Sequence, residues 1–342
     1  MSKCRSTGII LSGFVILFLV LGASISVSAE TVKLTFATTL APKSNIELAA
    51  KRYADIIGEK TNGRIKITHY GGGSLYNAKD LIPALAKNQV NMGVHHVAMV
   101  GRRSGILEFI ASFGAQGCWE SFDHYYRFID NEEVRALADA EFEKYFNAKL
   151  LGMLAYGTSM FGRADKAFET VEDFKGVKMR SSGTAQAALY KALGAVGVEM
   201  SSSEIYTALQ RGTIQACSTG TSRVRRARLY EVAPYVTIDP TIPFMTFWLV
   251  INNDTWKKLS GEDQALLMEE GRALEAWTRD FAAKERNEDI EFIKSRAKAL
   301  HDMTPEERQK MVSVARPAMM TFSKDRLGDK YQLLWDLFDK AK

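Results

Sequence analysis

Cysteine and proline are scarce in this chain: three and seven residues out of 342. Cys4 sits among the first residues, so only Cys118 and Cys217 remain in the body. One disulfide between them stays open in an oxidising compartment, but a disulfide-built scaffold is excluded. No second long hydrophobic run follows the one from Ile9 to Leu21, which excludes a helical membrane bundle. Charge of one sign is not in large excess. The formal +5 falls to about +3 without Lys3 and Arg5, and the basic residues are mostly scattered. One dense cluster, Arg223-Val224-Arg225-Arg226-Ala227-Arg228, reads as a solvated helix face rather than a nucleic-acid or anionic-membrane contact.

Catalytic and cofactor signatures are also missing. No dinucleotide fingerprint is present, and Gly71-Gly72-Gly73-Ser74 lacks the lysine of a phosphate loop. His95 and His96 are adjacent, so on a strand they point to opposite faces and cannot share one metal ion. One is expected in the core and the other at a strand end, in a cleft. No cysteine or acidic cluster completes a metal site. Ala216-Cys217-Ser218-Thr219-Gly220 is close to a nucleophile elbow but lacks its first glycine, and a triad would need the distant His301. Trp119, Tyr125 and Tyr126 read as packing residues. No catalytic residue, cofactor or metal is expected, which favours a binder over an enzyme.

The first residues point out of the cytoplasm. Lys3 and Arg5 precede the apolar run, and Val27-Ser28-Ala29 offers small residues for cleavage. Residues 1–29 therefore read as a signal peptide, cut after Ala29, with a soluble product in the periplasm. A retained anchor is disfavoured because the run is shorter than the roughly 20 residues a spanning helix needs.

After residue 30 the pattern is α/β. Val32, Leu34 and Phe36 alternate as in a strand. A helix follows Pro42 and Ser44, with Ile46, Ala49, Ala50, Tyr53 and Ile57 on one face. Ile65 and Ile67 mark a second strand, and Val90–Val94 a third. This order argues a parallel sheet. The same grammar returns after Thr170, with strands at Val177–Arg180, Val196–Met200 and Thr213–Ser218. Ser201 to Glu204 forms a capping box. Two α/β units imply two lobes. From Glu262 to about Leu300 there is no proline and one glycine, so one long helix can cross both. Thr304-Pro305-Glu306-Glu307 starts another helix, which Pro317 is expected to kink, and Tyr331–Lys340 forms the last.

The segment Gly176 to Thr184 carries the binding signal. Val177 and Met179 alternate with Lys178 and Arg180, so Arg180 leaves the strand on its polar side. Thr184 or Ser182 can cap the helix Ala185–Leu193, which Gly194 stops. A guanidinium fork beside a helix N-terminus favours a carboxylate, although a structural ion pair fits the local pattern as well.

Three segments together resemble one family. They are Glu59 to Ile65 (Glu-Lys-Thr-Asn-Gly-Arg-Ile), Thr170 to Arg180, and Ser203 to Gly212 (Ser-Glu-Ile-Tyr-Thr-Ala-Leu-Gln-Arg-Gly). In order and spacing they resemble the extracytoplasmic solute receptors of TRAP transporters, the DctP-type periplasmic substrate-binding proteins. The resemblance implies an α/β, two-lobed periplasmic binding protein fold with hinge strands and a long helix spanning both lobes. It places 30–156 plus 247–285 in lobe I, and 157–246 plus 286–342 in lobe II. It implies that Arg180 binds the carboxylate of a small organic acid, that the lobes close on it, and that the loaded receptor delivers it to sodium-coupled TRAP permease subunits in the membrane.

Strand-end position and loose alignment add Thr39, His96, Tyr156, Ser159, Thr219 and Phe247 to the expected ligand-binding set. The sequence also departs from the family. Where an Asp-Gly-Gln-Glu-Asn-Pro run is usual, Gln215 to Gly220 stands, with Thr219 at the asparagine position. Met160 falls where sialic-acid receptors carry a second arginine. Together with Phe247 and Trp248, these departures suggest a less polar acid than a sugar acid, with one strongly bound carboxylate. Dicarboxylates remain open if His96 or another cationic donor reaches the far end. Two rival readings are an exported hydrolase using Ser218 and a ligand-sensing module for a membrane receptor.

Overall fold

Hydrophobic alternation near residue 32 does form a strand, β1 (Val32–Ala37), and it organises the first sheet. The computed structural model describes residues 31–40, 42–96, 100–239 and 245–342; the signal-peptide expectation for 1–29 lies outside them. β1 pairs in parallel with β2 (Ile65–Tyr70) and β3 (Met92–His96). The third strand runs two residues beyond the expected Val94, which carries His96 to its end. The helix Asn45–Lys60 starts at Ser44, whose hydroxyl accepts from the Glu47 amide at 3.3 Å.

The sheets are mixed rather than wholly parallel. β4 (Ala148–Ala155) ends the first sheet, whose order is β2-β1-β3-β10-β4. β10 (Thr246–Asn252) runs antiparallel to both neighbours. The second sheet holds β5 (Ser159–Arg163), β6 (Lys178–Ser181), β7 (Val196–Glu199), β8 (Ala216–Gly220), β9 (Tyr235–Ile238) and β11 (Ala299–Asp302), in the order β11-β9-β5-β8-β6-β7. There β5 is the antiparallel strand. The reason is topological. β4 leads through Tyr156–Thr158 into β5 of the other sheet, and β9 leads back into β10. Each sheet thus takes in one strand entering from the opposite lobe.

The two crossings are stitched together. The Tyr156 amide donates to the Met245 carbonyl at 2.9 Å, and the Met245 amide to the Gly157 carbonyl at 3.1 Å. The Asn45 side-chain amide, fully buried, donates to the carbonyls of Ala155 and Tyr156. A third connection is the helix Gly261–Lys294, shorter than expected because β11 follows it. Edge pairing of β11 with β9 overrides the helical preference there. The first half of this helix lies on lobe I. Tyr53 donates to its Leu267 carbonyl at 2.8 Å, and its Glu275 binds Arg135 and the Met153 amide. The second half serves lobe II, where Asp289 and Glu285 meet Arg225 and Arg226.

The helix Pro305–Leu327 has the expected capping box and runs through Pro317 without a break. The helix Tyr331–Lys340 packs Phe338 against Trp119 and Phe109 of lobe I. The segment 286–342 therefore serves both lobes, because its last helix buries its aromatic face on the first. Cys118 and Cys217 are both buried and free, in separate core clusters. Burial pushes each thiol up to about 12.

Gly271, inside the long helix, faces Gly152 of β4. A Cβ at Gly271 would collide with the Leu151 carbonyl oxygen, and one at Gly152 would lie 3.0 Å from the Gly271 carbonyl. Alanine inside a helix ordinarily stabilises by about 0.5–1 kcal/mol over glycine. Here the sign reverses, because the helix must lift off the sheet. Gly271→Ala is expected to destabilise the fold by about 1–3 kcal/mol, the range for overpacked sites. Urea unfolding followed by circular dichroism checks this; a stabilised variant refutes the close approach.

Candidate functional site

Strand ends of both sheets converge on one cavity of about 770 Å³ between the lobes. β6 supplies its main charge. Met179 packs into the core below the strand, and the next side chain, Arg180, is turned into the cavity wall. Arg180 is only 8 % exposed. Its Nε donates to the Met200 carbonyl at 3.2 Å, and among the described residues no carboxylate lies within ion-pair distance. Burial, and then the positive charge of Arg223, pull its pKa down, against the Tyr190 and Cys217 side chains. An arginine nonetheless stays protonated in proteins, so a buried cation faces this cavity without an internal counter-ion.

The helix after β6 begins one residue earlier than expected, at Thr184, and ends at Ala192. Neither Thr184 nor Ser182 caps it. Gly183 holds the cap position with no side-chain bond, because Ser182 is engaged elsewhere: its amide and hydroxyl both donate to Gln186 Oε1, at 2.8 and 3.1 Å.

All seven residues expected at the site line this one cavity: Arg180, Thr39, His96, Tyr156, Ser159, Thr219 and Phe247. Phe247 meets His96 edge-on at 5.0 Å and Tyr156 at 5.2 Å, forming an aromatic wall on lobe I. Burial, helped by the Arg180 charge, pulls the His96 pKa down to about 4, so its imidazole is neutral near pH 7. His95 is buried on the other side of β3 and is also held at about 4 by burial.

Two expected pocket residues are elsewhere. Met160 is 1 % exposed and belongs to the lobe II core with Ile205, Cys217 and Val236. Trp248 follows Phe247 on β10 and so faces the opposite side, against Phe142 at 5.3 Å. The hydrolase reading also fails geometrically. Ser218 lies on β8, while His301 lies on β11, with two strands between them, and is bonded to Glu307 at 2.9 Å.

The basic run is only in part the expected solvated face near other charges, with Arg226 and Arg228 exposed. Arg225 and Arg226 are held by Asp289 and Glu285 of the long helix, and Arg223 turns into the cavity. Sequence reasoning missed Arg223, together with Gln116, Met200 and Met245. Arg223 was legible only as one member of a charge cluster. The others lie on loops or at an element end, with no periodic pattern to mark them.

The loop bearing Thr39 is fixed by Glu47. Its Oε2 accepts from Thr38 Oγ1 at 2.7 Å, and its Oε1 accepts from the amides of Leu40 at 3.0 Å and Gly72 at 3.2 Å. His69 Nε2 lies 3.4 Å from the same carboxylate. A Cβ on Gly71 would collide with Glu47, so glycine is required for this approach.

Comparison with known proteins agrees with this architecture. The family model for bacterial extracellular solute-binding proteins, family 7 (DctP), matches residues 36–325. The C4-dicarboxylate-binding periplasmic protein DctP of Rhodobacter capsulatus is 25% identical over 307 residues, covering 87% of this chain and 88% of its own. A TRAP periplasmic solute binding protein from Ochrobactrum anthropi superposes with a TM-score of 0.83 at 19% identity, covering 91% of this chain and 96% of that one. An extracytoplasmic solute receptor of Bordetella pertussis, DctP7, which binds pyroglutamic acid, gives 0.76 at 16% identity over 90% of this chain and all (100%) of that one.

Glu47 yields a pH prediction. Burial raises its pKa, but the bonds from His69, Thr38 and the Gly72 amide outweigh it, and the net pKa is lowered from 4.5. A carboxyl lowered on folding stabilises the folded state above its unfolded pKa, and that contribution is lost as pH falls through the folded value. Glu47→Gln is therefore expected to lose stability at neutral pH and to flatten the melting-temperature slope between about pH 3 and 5. Thermal melts across that range check it; an unchanged slope refutes the clamp.

Proposed function

The chain belongs to the DctP family of bacterial extracellular solute-binding proteins, and we propose that it is a TRAP-type receptor that binds a small organic carboxylate on Arg180, between its two lobes. Such proteins bind substrates and do not transform them, so the hydrolase reading falls away. The observation that carries the proposal is the buried Arg180 guanidinium, which faces the cavity with no internal carboxylate. A ligand carboxylate supplies the missing charge through a planar, two-point contact. Thr39, His96, Tyr156 and Phe247 face it from lobe I or its hinge, and Ser159 and Thr219 from lobe II. The C4-dicarboxylate-binding relative and the pyroglutamate-binding neighbour support the acid class.

The finer reading follows the family. Residues 1–29 direct export and are removed after Ala29, placing the receptor in the periplasm. Lobe I is 30–156 plus 247–285, lobe II is built on 157–246, and 286–342 braces both. The closed, loaded receptor docks on sodium-coupled TRAP permease subunits. Selectivity rests on the aromatic wall at Phe247 and on Thr219, because Met160 and Trp248 are buried elsewhere.

Two experiments test this. A thermal-shift screen of the protein starting at Glu30 against organic acids identifies a stabilising acid, and calorimetry then compares Arg180→Ala with the parent. The variant is expected to lose about 2–5 kcal/mol of binding, the cost of leaving one charge partner unmatched. Arg180→Lys recovers part of it, since lysine lacks the fork. Binding retained within a fewfold in Arg180→Ala refutes the assignment. Small-angle scattering is expected to show a smaller radius of gyration at saturating ligand, as the Tyr156–Met245 crossing bends. An identical profile with and without ligand argues against closure.

A further inference from the structure

The charge balance of the cavity points beyond a single carboxylate. Among the described residues, four charged side chains line it: Arg102, Glu199, Arg180 and Arg223. Arg102 and Glu199 lie 3.6 Å apart, one from each lobe, and offset each other. His96 and Tyr156 add no charge near pH 7, since burial holds the imidazole low and the phenol high. Two uncompensated positive charges remain, on Arg180 and Arg223.

Arg223 differs from the rest of its basic run. Arg225, Arg226 and Arg228 each have a carboxylate, from Asp289, Glu285 and Glu231. Arg223 has none among the described residues. Its Nη2 donates to the Ser202 carbonyl at 2.7 Å, which fixes the guanidinium, and its Nε is buried without a partner. The two guanidiniums are close enough for Arg223 to depress the pKa of Arg180.

We propose that Arg223 is a second anion anchor and that the ligand is a small organic dianion, with one carboxylate on Arg180 and its second anionic group on Arg223. The inference rests on the organic-acid reading of the same cavity and adds the ligand's charge. A monocarboxylate on Arg180 leaves Arg223 with a buried, unpaired donor and an uncompensated charge, which is costly once the cleft excludes water. A dianion neutralises both. This assigns to Arg223 the far-end role that the sequence leaves open to His96.

Calorimetry on the protein starting at Glu30 with matched acids tests the proposal. The pairs are succinate with butyrate and glutarate with pentanoate, and 3-phosphoglycerate with glycerate tests a phosphate in place of a carboxylate as the second group. At least one dianion is expected to bind tenfold or more tightly than its monoanionic partner. Arg223→Gln is expected to compress that ratio at least fivefold, while Arg223→Lys, which keeps the charge, preserves most of it. The lysine variant and melting curves guard against misfolding. Equal affinities within each pair, or a ratio untouched by Arg223→Gln, overturn the second anchor and leave the Arg180 reading standing. No binding of any acid to the folded parent overturns both.

Discussion

A guanidinium taken out of water needs a negative partner, and in this fold Arg180 is denied one from its own chain. Much of the surrounding structure serves to keep it there. Met179 anchors β6 in the core one residue earlier, so the strand cannot roll to carry Arg180 into solvent. The Met200 carbonyl takes one of its donors and leaves the flat outer edge of the fork for another acceptor. Gln186 ties back Ser182, leaving the start of the next helix without a side-chain cap. The nearest lobe I histidine is neutral, so it neither repels the cation nor neutralises it. Fold stability is sacrificed locally at a position where an anion restores it, which is the energetic pattern of a binding site.

The second constraint is that this cavity lies between two sheets and not within one. The chain crosses from sheet to sheet at Tyr156–Thr158 and returns into β10, and backbone hydrogen bonds pair the crossings. Asn45 fixes the lobe I end of that pair, and Glu275 with Arg135 fixes the long helix to the same lobe. The crossing is hydrogen-bonded, and beside it one apolar cluster continues between the lobes, taking in Trp119 and Trp248 of lobe I with Phe161, Met179 and Leu189 of lobe II. On the proposed closure, bending at the crossing moves the strand ends that carry Phe247 and Arg180 relative to one another, and the shared apolar cluster adjusts with it.

Much of this was legible in the sequence because it repeats a period. Alternation at Val32, Leu34 and Phe36, and at Val177 and Met179, marked strands whose ends reach the cavity. The capping patterns at Ser44, Ser201 and Thr304 marked helix starts. The family resemblance then selected Arg180 from among the arginines. What escaped has a physical reason in each case. The antiparallel β5 and β10 follow from lobe crossing, which no local pattern encodes. Met160 was placed in the pocket by spacing alone, but its side chain completes an apolar core. Arg223 was hidden among neighbours of the same charge. Carboxylates of the long helix, some 60 residues away in sequence, pair Arg225 and Arg226 and leave Arg223 without one among the described residues.

In the proposed closure, the contact between Arg102 and Glu199 leaves most of the closing to the ligand. Among the described residues it is the one ion pair of the cavity rim that joins the lobes, at 3.6 Å, with side chains 76% and 56% exposed. Exposed pairs of this kind contribute about 0–1 kcal/mol and are screened by salt. Arg180 and Arg223 both belong to lobe II, so closure is opposed by the cost of drying two like charges rather than by repulsion between the lobes, and the Arg102–Glu199 pair is too weak to offset it. An anion between those guanidiniums replaces that cost with two charge-assisted contacts, each worth about 1.5–3 kcal/mol. On the proposed dianion reading, the empty cleft favours opening and the filled one closure, and the same two charges set both preferences. A ligand can shift such an equilibrium only by its differential affinity for the two states, and here that difference is electrostatic.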